Sequence, residues 1–192
     1  MMTDNIEEMF VKAGAQLKGH FLLASGRHSP VYWEKFRILQ NPDCVTQLCG
    51  MIADHFRNER VDLVAGPTTG GIILAFEVAR QLGTRAIYAE RAEGGGRTFR
   101  RSQAITPGEN VLVVDDVLTG GGSIRDVIDT VSTLQGNVIG VGVLLERSEK
   151  RVDFGVPLFS CLRVSAQQTY SPEECPQCAA QIPLEKPGGG KT

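Results

Sequence analysis

One segment constrains the chain more than any other. The run Val111-Leu112-Val113-Val114 ends in two adjacent aspartates, Asp115 and Asp116, and two residues further on it reaches Thr119-Gly120-Gly121-Gly122-Ser123. A strand of successive apolar residues belongs to a sheet covered on both faces, and ligands of such sheets gather outside the carboxyl ends of the strands. The glycines let backbone N–H groups converge, the start of a following helix adds unpaired donors, and the Thr119 and Ser123 hydroxyls add two more; together these suit a phosphate. Two carboxylates alone would repel that phosphate. They make chemical sense if they bind hydroxyls, a cation, or both, because ribose hydroxyls donate to carboxylates and Mg2+ takes oxygen ligands while keeping several waters. Strand, acid pair, turn and glycine nest therefore describe a sugar phosphate, with its diol at the acids and its phosphate at 119–123. One acid faces the ligand while the other braces the turn. The plainer alternative is a helix cap after a tight turn.

The rest of the chain fits such a sheet. Strand patterns at 61–67, 85–90, 110–116 and 138–146 alternate with helical patterns at 70–83, closed by Gly83, and 122–135, closed by Gly136. The order β-α-β, long loop, β-α-β predicts a parallel α/β sheet with right-handed crossovers. Ahead of it, Asp4 and Glu7 fit a capping box for a helix over 4–15. Two strand-like pieces follow, at 20–24 and 31–36, and Asn41-Pro42 opens a helix to about 59. With 192 residues, 42% of them hydrophobic, the chain has enough for one domain, 1–192, with its own core. That domain carries an N-terminal appendage (1–40), an insertion at 91–109 and a tail at 171–192. The polar, glycine-rich end of the tail, 183–192, is expected to fray. The insertion holds Gly94, Gly95 and Gly96 with Arg97, Arg100 and Arg101. It reads as a functional lid or as a hairpin with a solvated basic face, and a mobile two-stranded ribbon is both.

Several function classes fall away. A formal charge of −2 lacks the basic excess of a duplex-binding domain, and 6% aromatic residues make a poor stacking platform for single strands. No apolar run approaches the 18 or so residues of a membrane span, and residues 1–10 have no signal-peptide pattern, so a cytoplasmic protein that binds neither nucleic acid nor membrane is expected. Neither Gly-x-Gly-x-x-Gly after the first parallel strand nor a Walker A sequence is present. Five cysteines, an odd count, argue against a disulfide framework. Cys175-x-x-Cys178 is half of a zinc knuckle, which a second copy of the chain or Cys161 would have to complete. A short helix opened by Ser171-Pro172, with Glu174 at the box position, is the simpler expectation. His20, His28 and His55 are scattered and are read as packing or solvent-facing residues.

These motifs carry a resemblance. "VLVVDDVLTGGGS" (111–123) resembles the 5-phosphoribosyl 1-pyrophosphate (PRPP) motif of type I phosphoribosyltransferases, and "FLLASGRHSPVYWE" (21–34) resembles the hood of orotate phosphoribosyltransferases, usually SGRxSPxY. "LVAGPTTGGIILA" (63–75) and "VGVLLERSEK" (141–150) extend the likeness over most of 10–165, and "CPQCAAQIPLEKPG" is similar to the tail of a bacterial branch. The resemblance implies the α/β type I phosphoribosyltransferase fold: a central, mostly parallel sheet flanked by helices, a small N-terminal hood and a long mobile loop. It implies that Asp115 and Asp116 meet the ribose hydroxyls and that Thr119, Gly120, Gly121, Gly122 and Ser123 hold the 5-phosphate. Thr68, Thr69, Gly70 and Gly71 would form the pyrophosphate loop, where a strained or cis peptide is common. Ser25, Gly26 and Arg27 would lie near the base, with Tyr32 and Trp33 covering the pyrimidine and Arg147 pairing with the orotate carboxylate. Arg91 would begin the basic loop, with Arg97, Arg100 and Arg101 meeting pyrophosphate on closure. It further implies transfer of the phosphoribosyl group from PRPP to orotate, and a homodimer whose loop reaches the neighbouring site. Mg2+ would be carried mainly by PRPP and water near Asp115 and Asp116, with no metal ligands from the protein.

On residue chemistry alone several of these positions stay open. The 66–71 turn suits an anion and equally a plain strand-to-helix connection. Tyr32 and Trp33 equally pack a small lobe. The Arg147 guanidinium matches a planar carboxylate and equally a surface ion pair. The family's lysines are also absent at Ala24 and Gly70. Either the arginines of 91–101 compensate, or PRPP binds more weakly, or the chain is a non-catalytic PRPP sensor. A transferase for a purine or another base is the remaining alternative.

Overall fold

The computed structural model describes residues 2–23, 25–148, 150–164 and 168–187. Helix α1 (Met2–Lys12) leads into an antiparallel hairpin of β1 (Gln16–Leu22) and β2 (His28–Trp33), followed by α2 (Phe36–Leu39) and α3 (Pro42–His55). Then come β3 (Leu63–Pro67), α4 (Gly70–Leu82), β4 (Arg85–Arg91), β5 (Arg97–Phe99), β6 (Asn110–Leu118), α5 (Gly122–Thr133), β7 (Asn137–Glu146) and β8 (Leu158–Arg163). A 3-10 turn at Pro172–Glu174 and α6 (Pro176–Ala179) end the described chain.

The six-stranded sheet has the order β5-β4-β3-β6-β7-β8 and is parallel except for β5. Strand succession runs one way from β3 to β4 and the other way from β6 to β8. The reversal falls between β3 and β6, the place where an open α/β sheet leaves a crevice for ligand. Every residue of β6 from Val111 to Asp116 is buried, and its alternation serves two cores. Leu112 and Val114 pack with Leu48, Ile52, Leu74 and Val78 of α3 and α4, whereas Val111 and Val113 pack with Ile124, Val127 and Val131 of α5. The Asn41 side chain caps α3 by accepting the Cys44 N–H at 3.3 Å.

The structure moves several boundaries. Asp4 lies inside α1 rather than at its cap, and the hairpin strands are shifted toward the N-terminus, which leaves 23–27 as the turn. Helix α3 ends at His55. The insertion at 91–109 is a hairpin at its start: β5 pairs antiparallel with β4, Arg91 opposite Arg97. The short elements α2 and β5 carry too few residues for a periodic signal, and β8 was likewise not expected. Within the described residues the tail is tied to the hood at two points. His28 and Tyr170 exchange both backbone hydrogen bonds at 2.9 Å, and Glu185 joins Leu22 and His20 at 2.8 Å. Ala24 and residues 188–192 lie outside the described residues. Among the described residues no helix is long and apolar enough to cross a membrane, and the cysteines form no disulfide.

The end of α5 differs from expectation in an instructive way. Gln135, not Gly136, takes the left-handed conformation, with φ of 61°. Gly136 is required for space: a Cβ there would lie 2.8 Å from the Val131 side chain and 3.0 Å from that of Ile105. Gln135→Gly should therefore stabilise the fold by about 1 kcal/mol, while Gly136→Ala should cost about 1–3 kcal/mol. Urea unfolding of the two variants checks this; equal effects of the same sign would contradict it.

Candidate active site

Asp115 and Asp116 are consecutive residues of a strand, so their side chains leave on opposite faces. Both are buried, at 8% and 3% exposed. Asp116 turns toward the hood, where Lys35 Nζ donates to its Oδ1 at 3.0 Å and lies 2.9 Å from Oδ2. Asp115 Oδ1 accepts the backbone N–H of Asp116 at 2.8 Å, and the residue lines the cleft beside α5. Burial, and then the neighbouring Asp116 charge, push the Asp115 carboxyl up to about 7; Lys35 and Arg97 offset this only in part. The two acids thus part company: Asp115 lines the cleft, and Asp116 pairs with Lys35 rather than bracing the turn.

The cleft has a volume of about 290 Å3 and is lined by Asp115 and the run 117–124. Gly121 caps α5 with φ of 79°, and a Cβ there would meet Phe154 at 3.0 Å, so both torsion and space demand glycine. Helix α5 has no side-chain cap and no acid in its first turn. Its N–H donors therefore remain available to an anion. Thr119, Gly120, Gly121, Gly122 and Ser123 are all brought together here.

The second expected loop lies at the end of β3. The Thr68–Thr69 peptide is cis, and α4 starts without a side-chain cap or a first-turn acid. Gly70 and Gly71 are buried at that helix start. A Cβ at Gly70 would fall 1.8 Å from Asp116 Oδ2. A lysine at this position is incompatible with the Asp116 carboxylate where it stands, and Lys35 supplies a positive charge to that carboxylate instead. The sequence carried only a weak signal for Lys35: a lysine directly behind the hood segment.

Arg97 is the clearest departure from expectation. It is not an exposed loop cation but is 9% exposed at the start of β5. Its Nη1 donates to Thr68 Oγ1 at 3.2 Å and to the Ala89 carbonyl at 3.1 Å, and its Nη2 donates to Ser123 Oγ at 3.3 Å. Burial pulls the guanidinium below its ordinary value, while Asp115 favours its charged form. One side chain thus ties the loop at Thr68 to the glycine turn at the start of α5. Arg91 and Arg100 are exposed, and Arg101 pairs with Glu90 at 2.8 Å. These three remain on the surface of the hairpin.

In the hood, Tyr32 and Trp33 point to opposite faces. Trp33 is a core residue, 4% exposed and edge-on to Phe10 at 5.8 Å, so it does not line an open base site. Tyr32 is half-buried and lies close enough to Arg147 for each to bias the other's charge state. Arg147 is anchored behind β7 by its backbone N–H, which donates to the Leu118 carbonyl at 2.8 Å. Beside it, buried Glu146 accepts from Ser148 and Ser160 at 2.9 and 2.8 Å. Ser25, Gly26 and Arg27 form the exposed tip of the hairpin, and Arg27 donates twice to Thr169 at 2.7 Å.

The raised carboxyl carries a signed consequence. Asp115 stays protonated in the folded state up to about pH 7, whereas an unfolded aspartate ionises near 4. The folded state holds the extra proton between those values, so this group subtracts stability as pH rises from about 4 to 7. Asp115→Asn should therefore raise the thermal midpoint by several degrees at pH 8 and by much less at pH 4.5. An equal rise at both pH values in calorimetry would refute the assignment.

Residues 36–172 match the model of the phosphoribosyl transferase domain family. Over 191 residues, the full length of both chains, the protein is 47% identical to an orotate phosphoribosyltransferase of Caldanaerobacter subterraneus subsp. tengcongensis. It is 46% identical over 188 residues to that of Desulforamulus reducens, covering 98% of this chain and 97% of the relative. Among solved structures, orotate phosphoribosyltransferase from Aeropyrum pernix superposes with a TM-score of 0.72 at 28% identity, covering 83% of this chain and 93% of that one. The reversal of strand order, the acid pair and the open helix starts agree with these likenesses, and the chain belongs to the orotate phosphoribosyltransferase family.

Proposed function

We propose that the crevice between β3 and β6 transfers the 5-phosphoribosyl group of PRPP to orotate, giving orotidine 5'-phosphate and pyrophosphate. The observation that carries this reading is the placement of Asp115 in the same cleft as an uncapped, glycine-built helix start, with Arg97 bridging that nest to the Thr68 loop. Phosphate, diol and leaving group each meet chemistry suited to them.

The bond between ribose C1 and the pyrophosphate oxygen breaks with its electron pair leaving on oxygen. A ring nitrogen of orotate supplies the pair that forms the new bond, and its proton passes to solvent. Positive charge grows on the sugar as negative charge grows on pyrophosphate. Catalysis is then orientation and electrostatic stabilisation rather than covalent attack. Asp115 holds the diol beside the electron-poor ring. Arg97 and the N–H groups at the start of α4 face the leaving group, and the arginines 91, 100 and 101 of the hairpin complete its neutralisation on closure. Arg147 pairs with the orotate carboxylate, and Tyr32 lies against the ring.

The acid pair fits a cation delivered by its substrate better than a caged one. Asp116 already has Lys35 as counter-ion, and Asp115 spends one oxygen on the Asp116 N–H. That leaves too few protein oxygens for an octahedral Mg2+ site. Asp115 would lie nearest a Mg2+ delivered with PRPP, and that ion would supply charge neutralisation to the pyrophosphate. A homodimer is part of the same reading, supported by the family and by the exposed apolar side chains Ile73 and Phe76 on α4, at 40% and 66% exposed.

The test is base specificity. Protein, Mg2+ and PRPP are mixed with orotate, uracil, adenine, hypoxanthine or xanthine, and pyrophosphate release is measured. Release with orotate alone is expected; release with a purine but not orotate would overturn the assignment. Arg147→Ala should raise the KM for orotate by about 10–100-fold, the loss of a charged hydrogen-bonded pair, and leave that for PRPP within about threefold. Arg97→Lys should lower kcat/KM for PRPP by about 100-fold, because a single ammonium cannot span Thr68 and Ser123 as the fork does.

A further inference from the structure

We infer that the chain carries a structural Zn2+ site, remote from the transfer chemistry, formed by His20, His28, Cys175 and Cys178. These residues, which look scattered along the sequence, come together where α6 packs on the hood. His20 Nε2 lies 3.0 Å from His28 Nδ1, 3.4 Å from Cys175 Sγ and 3.7 Å from Cys178 Sγ, and His28 Nδ1 lies 3.3 Å from Cys178 Sγ. All four ligand atoms fall within 4.8 Å of one another. A tetrahedron with Zn–N of about 2.0 Å and Zn–S of about 2.3 Å has edges of roughly 3.3 to 3.8 Å, so the cluster already has the size of the site. Among the described residues it is the one such group of His, Cys and acidic side chains.

Hydrogen bonding within the cluster cannot satisfy it. His20 Nδ1 lies 2.8 Å from the Ile182 carbonyl, a partner that can only accept, so the proton is on Nδ1 and the lone pair on Nε2. Either tautomer of His28 then leaves a conflict: as an N–H donor to His20 Nε2 its Nδ1 leaves both thiols without a nitrogen acceptor, and as a lone pair it can accept from Cys178 Sγ at 3.3 Å but faces the Nε2 lone pair at 3.0 Å. His20, His28 and Cys175 are buried at 2%, 4% and 2% exposed, which denies them water as a substitute partner. A divalent cation resolves the conflict: two thiolates and two neutral imidazoles give a site of zero net charge. The carbonyl behind His20 is the outer-shell partner that a ligating histidine ordinarily has. Four protein ligands leave no open position, so the role is structural, and two sulfurs with two nitrogens in a tetrahedron select zinc.

The placement gives the site its purpose. His20 and His28 bracket the 23–27 turn of the hood, and both cysteines belong to the tail. The metal would staple the two together, alongside the Gln177 side chain, which donates to the Gly19 carbonyl at 2.6 Å.

Full-length protein purified under reducing conditions without chelator, from zinc-supplemented medium, should contain one zinc per chain by elemental mass spectrometry. Cys178→Ser, at the most exposed ligand, should lose at least nine-tenths of it while keeping the far-ultraviolet dichroism of the parent. Stripping the metal should lower the thermal midpoint by roughly 10 °C, restored by added Zn2+. Co2+ in its place should show the visible bands of a tetrahedral thiolate site. Parent protein with less than a tenth of a zinc per chain, one zinc per two chains, or full zinc retention in Cys178→Ser would each overturn the assignment.

Discussion

Two adjacent carboxylates at the end of a strand buried on both faces are expensive to hold, and much of the surrounding structure answers that cost. A buried carboxylate without compensation shifts toward its neutral form, and Asp115 does so. Asp116 is compensated by Lys35, which stands at the start of α2 just behind the hood strand β2. Gly70 is the necessary complement, since any side chain there would occupy the place of the Asp116 carboxylate. The acid left without a close cation is the one that lines the cleft. The fold thus stores an electrostatic imbalance where a diol and a cation-bearing ligand would relieve it.

Arg97 gives the site its unity. Without it, the Thr68 loop and the glycine nest are separate helix starts at the ends of two strands. Its guanidinium touches both, and β5 exists as an edge strand that positions it. Lys35 and Arg97, both rooted in ordered elements of the same chain, are the cations that offset the charge of the acid pair, while Arg91, Arg100 and Arg101 stay on the surface of the hairpin.

The hood is not an independent lobe. Its outer edge is completed by the tail through the Tyr170 and Glu185 pairings, by Arg27 on Thr169, and by the cluster of His20, His28, Cys175 and Cys178. Residues from both ends of the chain therefore shape the turn of the hood.

The sequence by itself determined the parallel sheet and the chemistry of 111–123, because those features are local; the strand order, and with it the place of the reversal, came from the structure. Apolar runs, glycine spacing and an acid pair act within a dozen residues of one another, and the periodicity of a strand places its neighbours. Tertiary structure decided what depends on distance. Trp33 went to the core because its neighbour Tyr32 took the other face. Arg97 left the loop for the interior because Thr68 and Ser123, 29 and 26 residues away, offered oxygen partners. Lys35 found Asp116 across 81 residues, and Cys175 found His20 across 155. No local pattern encodes such meetings; they arise when packing the apolar faces brings distant polar groups out of water together, where each must find a partner.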